Sequence, residues 1–196
     1  IASATSDTLM TRPAASSPLW IFGYGSLIWR ADFAFVEKRP AYIRDYSRRF
    51  WQGSFDHRGM PGAPGRVVTL IEDLEACCAG MAYRVDPALS STVLAHLDHR
   101  EQGGYDQLQI PIHFSPTETV TGITYYANST NSSFLGTAPV DSIAQQIVDS
   151  TGPSGPNSEY ILELDSALQS INLALAQDTD NHVAAIAIAV RRLLGT

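Results

Sequence analysis

Cysteine, charge and long apolar runs are all scarce in this chain, and each scarcity closes off a class of protein. Cys77 and Cys78 are its two cysteines, side by side. Neighbours on a strand point to opposite faces, so the pair predicts one buried and one partly exposed thiol rather than a disulfide. A chain without a disulfide framework suits a reducing compartment. Two cysteines cannot build a thiolate metal site. Of the five histidines, His96 and His99 alone are close, at i and i+3 on a polar helix face with no third ligand nearby, so no metal is expected. No apolar stretch approaches the ~20 residues that span a bilayer. Basic residues are outnumbered, 13 Lys plus Arg against 20 Asp plus Glu for a net charge of −7. With no basic run, neither nucleic acid nor an anionic membrane surface is an expected partner. There is no Gly-x-Ser-x-Gly elbow and no cysteine in a reactive setting. An enzyme of this sequence is expected to need neither a metal nor a covalent nucleophile.

What is present is globular: 44% apolar and 17% charged residues over 196 positions, enough for one compact domain and short for two. Residues 1–18 are rich in Ser, Ala and Thr and lack the basic and apolar regions of a secretory leader. They read as a disordered tail, and 19–196 as a single domain. Apolar and β-branched runs predict about six strands, at 19–22, 41–55 (one or two), 66–71, 78–85, 107–114 and 122–126. The Gly/Pro-rich stretch 59–65 reads as a loop. Helical patterns fall at 90–102, 140–150 with Pro139 at the entrance, 158–176 and 182–194. Strands mostly precede helices, which predicts an α+β fold, a closed or nearly closed sheet with helices packed on it.

Two segments carry chemistry. In Phe22-Gly23-Tyr24-Gly25-Ser26-Leu27 two glycines flank a tyrosine where the first strand stops. Glycine lets a ligand approach the backbone closely, and successive N–H groups in such a turn can form an anion-binding concavity to which Ser26 adds a hydroxyl. It is neither a P-loop nor a dinucleotide fingerprint. A tight turn without a ligand is the competing reading.

The second is the helix at 90–102. At about 100° per residue, with Val93 at zero, Leu97 falls near ~40°, Glu101 near ~80° and Leu94 near ~100°. Glu101 therefore projects from the apolar face, while His96 and His99 take the wet one. Gly103 and Gly104 stop the helix. Burial and the negative end of the helix dipole both raise the pKa of a carboxyl placed there, which is the tuning that a general acid/base requires. The competing reading is a Glu that curls out to solvent or pairs with Arg100 or Arg84.

Longer blocks around these segments bring a resemblance. Trp20-Ile21-Phe22-Gly23-Tyr24-Gly25-Ser26-Leu27-Ile28-Trp29, Tyr46-Ser47-Arg48-Arg49-Phe50-Trp51-Gln52-Gly53-Ser54, Asp56-His57-Arg58-Gly59 and Pro64-Gly65-Arg66-Val67-Val68-Thr69-Leu70 occur in that order. Arg100-Glu101-Gln102-Gly103-Gly104-Tyr105 and Gly152-Pro153-Ser154-Gly155-Pro156-Asn157-Ser158-Glu159-Tyr160 follow. Together they resemble the ChaC family of glutathione-specific γ-glutamylcyclotransferases. The resemblance implies a small mixed β-barrel with flanking helices, a cytosolic location and no cofactor. It implies Glu101 as catalytic acid/base, with the substrate held along Ile21, Phe22, Gly23, Tyr24, Gly25, Ser26 and Leu27. Tyr105, Asn157 and Tyr160 are further candidates for the site, each with a packing role as the alternative. Arg48, Arg49, Arg58 and Arg66 compete to meet the glycine carboxylate of glutathione, and Arg58 is carried with the site. Thr92 stands where some relatives have an acidic residue. The stretch 59–65 is a candidate lid. Other γ-glutamyl amines as substrates, and a non-catalytic γ-glutamyl-binding module, are the alternatives. A monomer is expected.

Overall fold

The first strand forms where the chain is most apolar. The structure, a computed structural model, describes residues 17–100 and 104–196. Strand β1 (Leu19–Gly23) lies between two partners. One is β3 (Gly65–Val85), antiparallel from Leu19↔Val85 to Gly23↔Met81; the other is β5 (Glu118–Tyr126), parallel at Ile21↔Ile123. With β2 (Glu37–Ser54) and β4 (Asp106–Ser115) they close a mixed barrel in the order β1-β3-β2-β4-β5. Side chains alternate along β1, and both faces are covered: Trp20 and Phe22 join the main core, whereas Ile21 joins a second one.

The expected strands at 66–71 and 78–85 are one continuous 21-residue strand. While β2 advances from Arg44 to Tyr46, the partner on β3 jumps from Cys77 to Glu72. Residues 73–76 are thus a largely exposed excursion carried on the strand, with Asp45 Oδ1 accepting from Glu75 N–H at 3.0 Å. The stretch 41–55 is likewise a single strand, extended back to Glu37 and bent by a second register shift between Arg49 and Gln52. The barrel therefore has five strands rather than about six. The hairpin of two two-residue strands, β6 (Thr151–Gly152) and β7 (Gly155–Pro156), is too short to leave any periodicity in the sequence.

All four helices form where expected. They are α1 (Ser90–Arg100), α2 (Val140–Asp149), α3 (Asn157–Leu175) and α4 (Asn181–Leu194). α2, α3 and α4 bury Ile143, Ile147, Ile161, Leu164, Leu168, Ile186 and Val190 in the main core, at ~1.5–3 kcal/mol for each large side chain. α1 packs separately, with Val93 and Leu97 buried against Ile21, Val85 and Tyr125; His96 and His99 are exposed, as the helical wheel requires. Cys77 is exposed and Cys78 buried. No helix among the described residues is long and apolar enough to cross a membrane.

The bend in β2 leaves strand backbone without its ladder partners, and other elements supply them. Phe50 N–H donates to His182 Nε2 at 3.0 Å, and Phe50 C=O accepts from Arg66 at 2.9 Å. Trp51 C=O accepts from Leu135 N–H at 2.7 Å and Gly136 N–H at 3.2 Å. His182 sits in the first turn of α4, just after Asp180, whose side chain caps the helix by accepting from Val183 N–H at 3.1 Å. Burial, with Arg49 and Arg48 nearby, pushes the His182 pKa from 6.5 down to about 4 against the pull of Asp180.

Asn157 opens α3 as a fully buried side chain that clamps β3. Its Oδ1 accepts from Arg66 N–H at 2.8 Å and its Nδ2 donates to Arg66 C=O at 2.9 Å.

Two outcomes follow. Between pH 6.5 and 4 the unfolded chain binds a proton at His182 that the folded chain refuses, so stability is complete above 6.5 and declines as pH falls through that window. Urea midpoints measured across it should fall, and His182→Gln, which keeps an acceptor for Phe50 N–H and does not titrate, should flatten that part of the curve. Asn157→Ala strands two buried backbone groups of Arg66 and should cost about 2 kcal/mol or more in denaturant unfolding.

Candidate active site

The turn after β1 is held residue by residue. Phe22 C=O accepts from Thr124 Oγ1 at 2.9 Å, Tyr24 C=O from Arg48 Nε at 2.7 Å and Leu27 C=O from Tyr83 Oη at 2.5 Å. Tyr24 Oη donates to Tyr125 C=O at 2.7 Å. Burial pushes the Tyr83 pKa up to about 12, so its phenol remains a donor. Ser26–Ile28 then makes one 3₁₀ turn, in which Ile28 N–H is the first to find a carbonyl, that of Gly25 at 2.9 Å. The N–H groups of Ser26 and Leu27 come before that bond and have no partner within the turn. Gly25 is glycine for want of space: a Cβ there would lie 2.9 Å from Tyr160 Oη and 3.1 Å from Val68 Cγ2.

This turn forms one wall of a cavity of about 550 Å³, within the range of small-molecule sites. The end of β2 and the segment after it, Gln52 to Arg58, also line it, as do Val67 and Val68 of β3. Among the described residues three arginines line it, Arg30, Arg58 and Arg100. Arg100 donates to Ser26 Oγ at 2.9 Å and to Asp32 Oδ1 at 2.8 Å. Burial raises the Asp32 pKa, but Arg100 and His96 outweigh it and hold the carboxyl below its ordinary value. Asp32 is therefore an anion that orients Arg100. Arg58 donates to Pro156 C=O at 2.9 Å and Glu159 Oε2 at 3.1 Å, and its backbone N–H donates to Ser54 Oγ at 2.9 Å. Hairpin β6–β7 packs against the backbone at His57 and Gly59 so closely that a Cβ on Gly152 would meet His57 O at 2.3 Å.

Of the residues expected at the site, Phe22, Gly23, Tyr24, Gly25, Ser26, Leu27, Arg58, Tyr105 and Tyr160 line this cavity. Ile21 and Asn157 do not line it. Ile21 alternates away from Phe22 toward α1, and both polar ends of Asn157 are taken by Arg66. Glu101 lies outside the described residues. Among the four arginines weighed for a terminal carboxylate, Arg58 alone lines the cavity. Arg48 is buried on Tyr24 C=O, Ala79 C=O and Asp180; Arg66 bonds Gln146, Phe50 C=O and Gly136 C=O; Arg49 sits by Asp73. The stretch 59–65 is pinned by paired bonds between Met60 and Ala63, and Pro61 reaches the cavity.

Arg100, Arg30, Gln52 and Trp29 also line the cavity, beyond the residues expected there. Arg100 was detectable: the same helical wheel places it ~20° from Val93, on the buried side. Gln52 was not, because the bend before it resets the strand's alternation. Among the described residues no group of three or more His, Cys, Asp or Glu is placed to hold a metal.

The comparisons with known proteins agree with one another. The model of the ChaC-like protein family matches residues 19–193. Human glutathione-specific gamma-glutamylcyclotransferase 1 is 46% identical over 180 residues, covering 90% of this chain and 80% of its own. The Arabidopsis thaliana gamma-glutamylcyclotransferase 2-3 is 41% identical, with 90% of each chain covered. The crystal structure of the yeast gamma-glutamylcyclotransferase specific to glutathione superposes with a TM-score of 0.82 at 28% identity, covering 90% of this chain and 97% of that one. A five-stranded mixed barrel, a glycine turn walling its cavity and a family match along nearly the whole of that barrel and its helices place this chain in the ChaC-like protein family.

Proposed function

We propose that this chain is a glutathione-specific γ-glutamylcyclotransferase, releasing 5-oxoproline and Cys-Gly. The observation that carries the reading is the cavity wall formed by the Gly25 turn with Arg100 on Ser26 Oγ, in a chain 46% identical to an enzyme of that name. The cationic rim of Arg30, Arg58 and Arg100 suits a substrate with a carboxylate at each end. The unpaired Cys77 and Cys78 suit a reducing, cytoplasmic setting. A monomer with one catalytic domain from residue 19 onward belongs to the same proposal.

Glutathione carries its own nucleophile. Its α-amino nitrogen attacks its γ-carbonyl, a C–N bond forms, and the C–N bond to cysteine breaks. Holding the folded conformer supplies much of the rate, since intramolecular reactions of this kind reach effective molarities on the order of 10⁵ M or more. In this mechanism Glu101 takes a proton from the α-ammonium and returns one to the departing amine. Its neighbours in sequence support the assignment: Arg100 before it and Tyr105 after it both line the cavity. The N–H groups of Ser26 and Leu27 are candidate donors for the α-carboxylate or for the tetrahedral oxyanion. Arg58, already held by Glu159 and Pro156 C=O, is the candidate for the glycine carboxylate.

Purified protein should release Cys-Gly and 5-oxoproline from glutathione and leave other γ-glutamyl dipeptides largely intact. Glu101→Gln should still bind glutathione while its kcat drops by about 10²-fold or more. Product from the dipeptides but not from glutathione, or normal turnover by Glu101→Gln, would overturn the substrate or the residue assignment respectively.

A further inference from the structure

β2 carries one buried acceptor that no other group among the described residues uses. Gln52 is 1% exposed and lines the cavity, and its Oε1 is the one buried side-chain nitrogen or oxygen among the described residues without a hydrogen-bond partner. Its orientation is fixed by a chain of amides. Ser133 N–H donates to Asn131 Oδ1 at 2.9 Å, and Asn131 Nδ2 donates to Gly104 C=O at 2.9 Å, which together decide which end of Asn131 is oxygen. Gln52 meets that oxygen at 3.0 Å and so presents Nε2 to it. Its own oxygen is left turned away from Asn131.

The neighbouring polar groups are satisfied. Phe50 N–H and C=O, Trp51 C=O and Gly53 N–H all have partners. An unsatisfied oxygen in such surroundings costs stability unless a donor reaches it from the cavity it lines. Most of what a γ-glutamyl peptide brings cannot serve. Carboxylates and carbonyls only accept, and a thiol is a weak donor, which leaves the two peptide N–H groups and the α-amino group. Of these the α-ammonium is the charged and strongest donor; Arg30, Arg58 and Arg100 on the lining offer it no acceptor, Asp32 is engaged by Arg100, and Asp56 is turned to solvent. A neutral amide oxygen can hold that nitrogen without clinging to its extra proton as a carboxylate would.

We propose that Gln52 Oε1 accepts a hydrogen bond from the substrate's α-amino group and aims its nitrogen at the γ-carbonyl, a role that rests on the cyclotransferase reading above. Through Asn131 the same side chain reaches Gly104 C=O, so the segment that follows Glu101 and the amine it would deprotonate share one scaffold.

The test compares glutathione with its desamino analogue, glutaryl-cysteinylglycine, which keeps both carboxylates and lacks the amine. In Gln52→Leu, kcat/KM for glutathione should fall by about tenfold or more, while the Ki of the analogue as a competitive inhibitor is unchanged. Equal losses for the two ligands, or no loss for glutathione, would overturn the assignment. Gln52→Glu is the second variant. Its charge should retain the ammonium proton, so that the rise of kcat with pH moves to higher pH; an unchanged profile in that folded variant also overturns it. Wild-type protein that turns over no glutathione would remove the cyclotransferase reading and this role with it. Wild-type turnover with equal losses for both ligands would remove the Gln52 role alone.

Discussion

A single buried guanidinium ties the site to the rest of the molecule. Arg48 is almost fully buried, and an unpaired charge at that depth would be prohibitively costly. Three groups from three elements answer it: the carbonyl of Tyr24 in the glycine turn, the carbonyl of Ala79 on β3, and the carboxylate of Asp180 at the start of α4. Asp180 also caps α4, and the first turn of that helix delivers His182 to the backbone of Phe50, two residues along from Arg48 itself. The loop closes on itself. A change that displaces the C-terminal helix therefore reaches the turn that walls the cavity, although the two are far apart in sequence.

That arrangement explains why β2 can bend where it does. A bulge exposes strand backbone, and exposed backbone at this depth must be satisfied. His182, Arg66 and the segment 135–136 supply the partners, and the bend turns Gln52 and the residues after it toward the cavity. Gln52 and Ser54 thereby add buried polar groups to the cavity lining.

Electrostatics at the site run against the balance of the whole chain. The protein carries a net charge of −7, yet its cavity is rimmed by Arg30, Arg58 and Arg100. Asp32, itself on the lining, and Glu159 orient two of those arginines, at 2.8 and 3.1 Å. Net charge governs solubility and long-range encounter, whereas the local field decides which end of a substrate settles where. An anionic peptide can therefore be bound by an acidic protein.

The sequence by itself determined the four helices, because their apolar periodicity, Pro139 and the glycines are local signals. It determined the turn at Gly23 to Leu27 and the placement of most of the residues expected at the site, because a strand that stops at two glycines needs no distant partner to be read. It also identified the family. What the tertiary structure alone decided concerns pairing. β1 is buried on both faces, so no alternation could reveal that Ile21 turns toward α1 and away from the cavity. The merging of two expected strands into β3 depends on its ladder with β2. Asn157 and Arg66 are each polar in sequence, and only their contact across 91 positions makes them a clamp rather than ligand contacts. Gln52 gained its unsatisfied oxygen from a bend, an asparagine and a serine amide that no local pattern joins, because hydrogen-bond satisfaction is a property of the assembled three-dimensional neighbourhood.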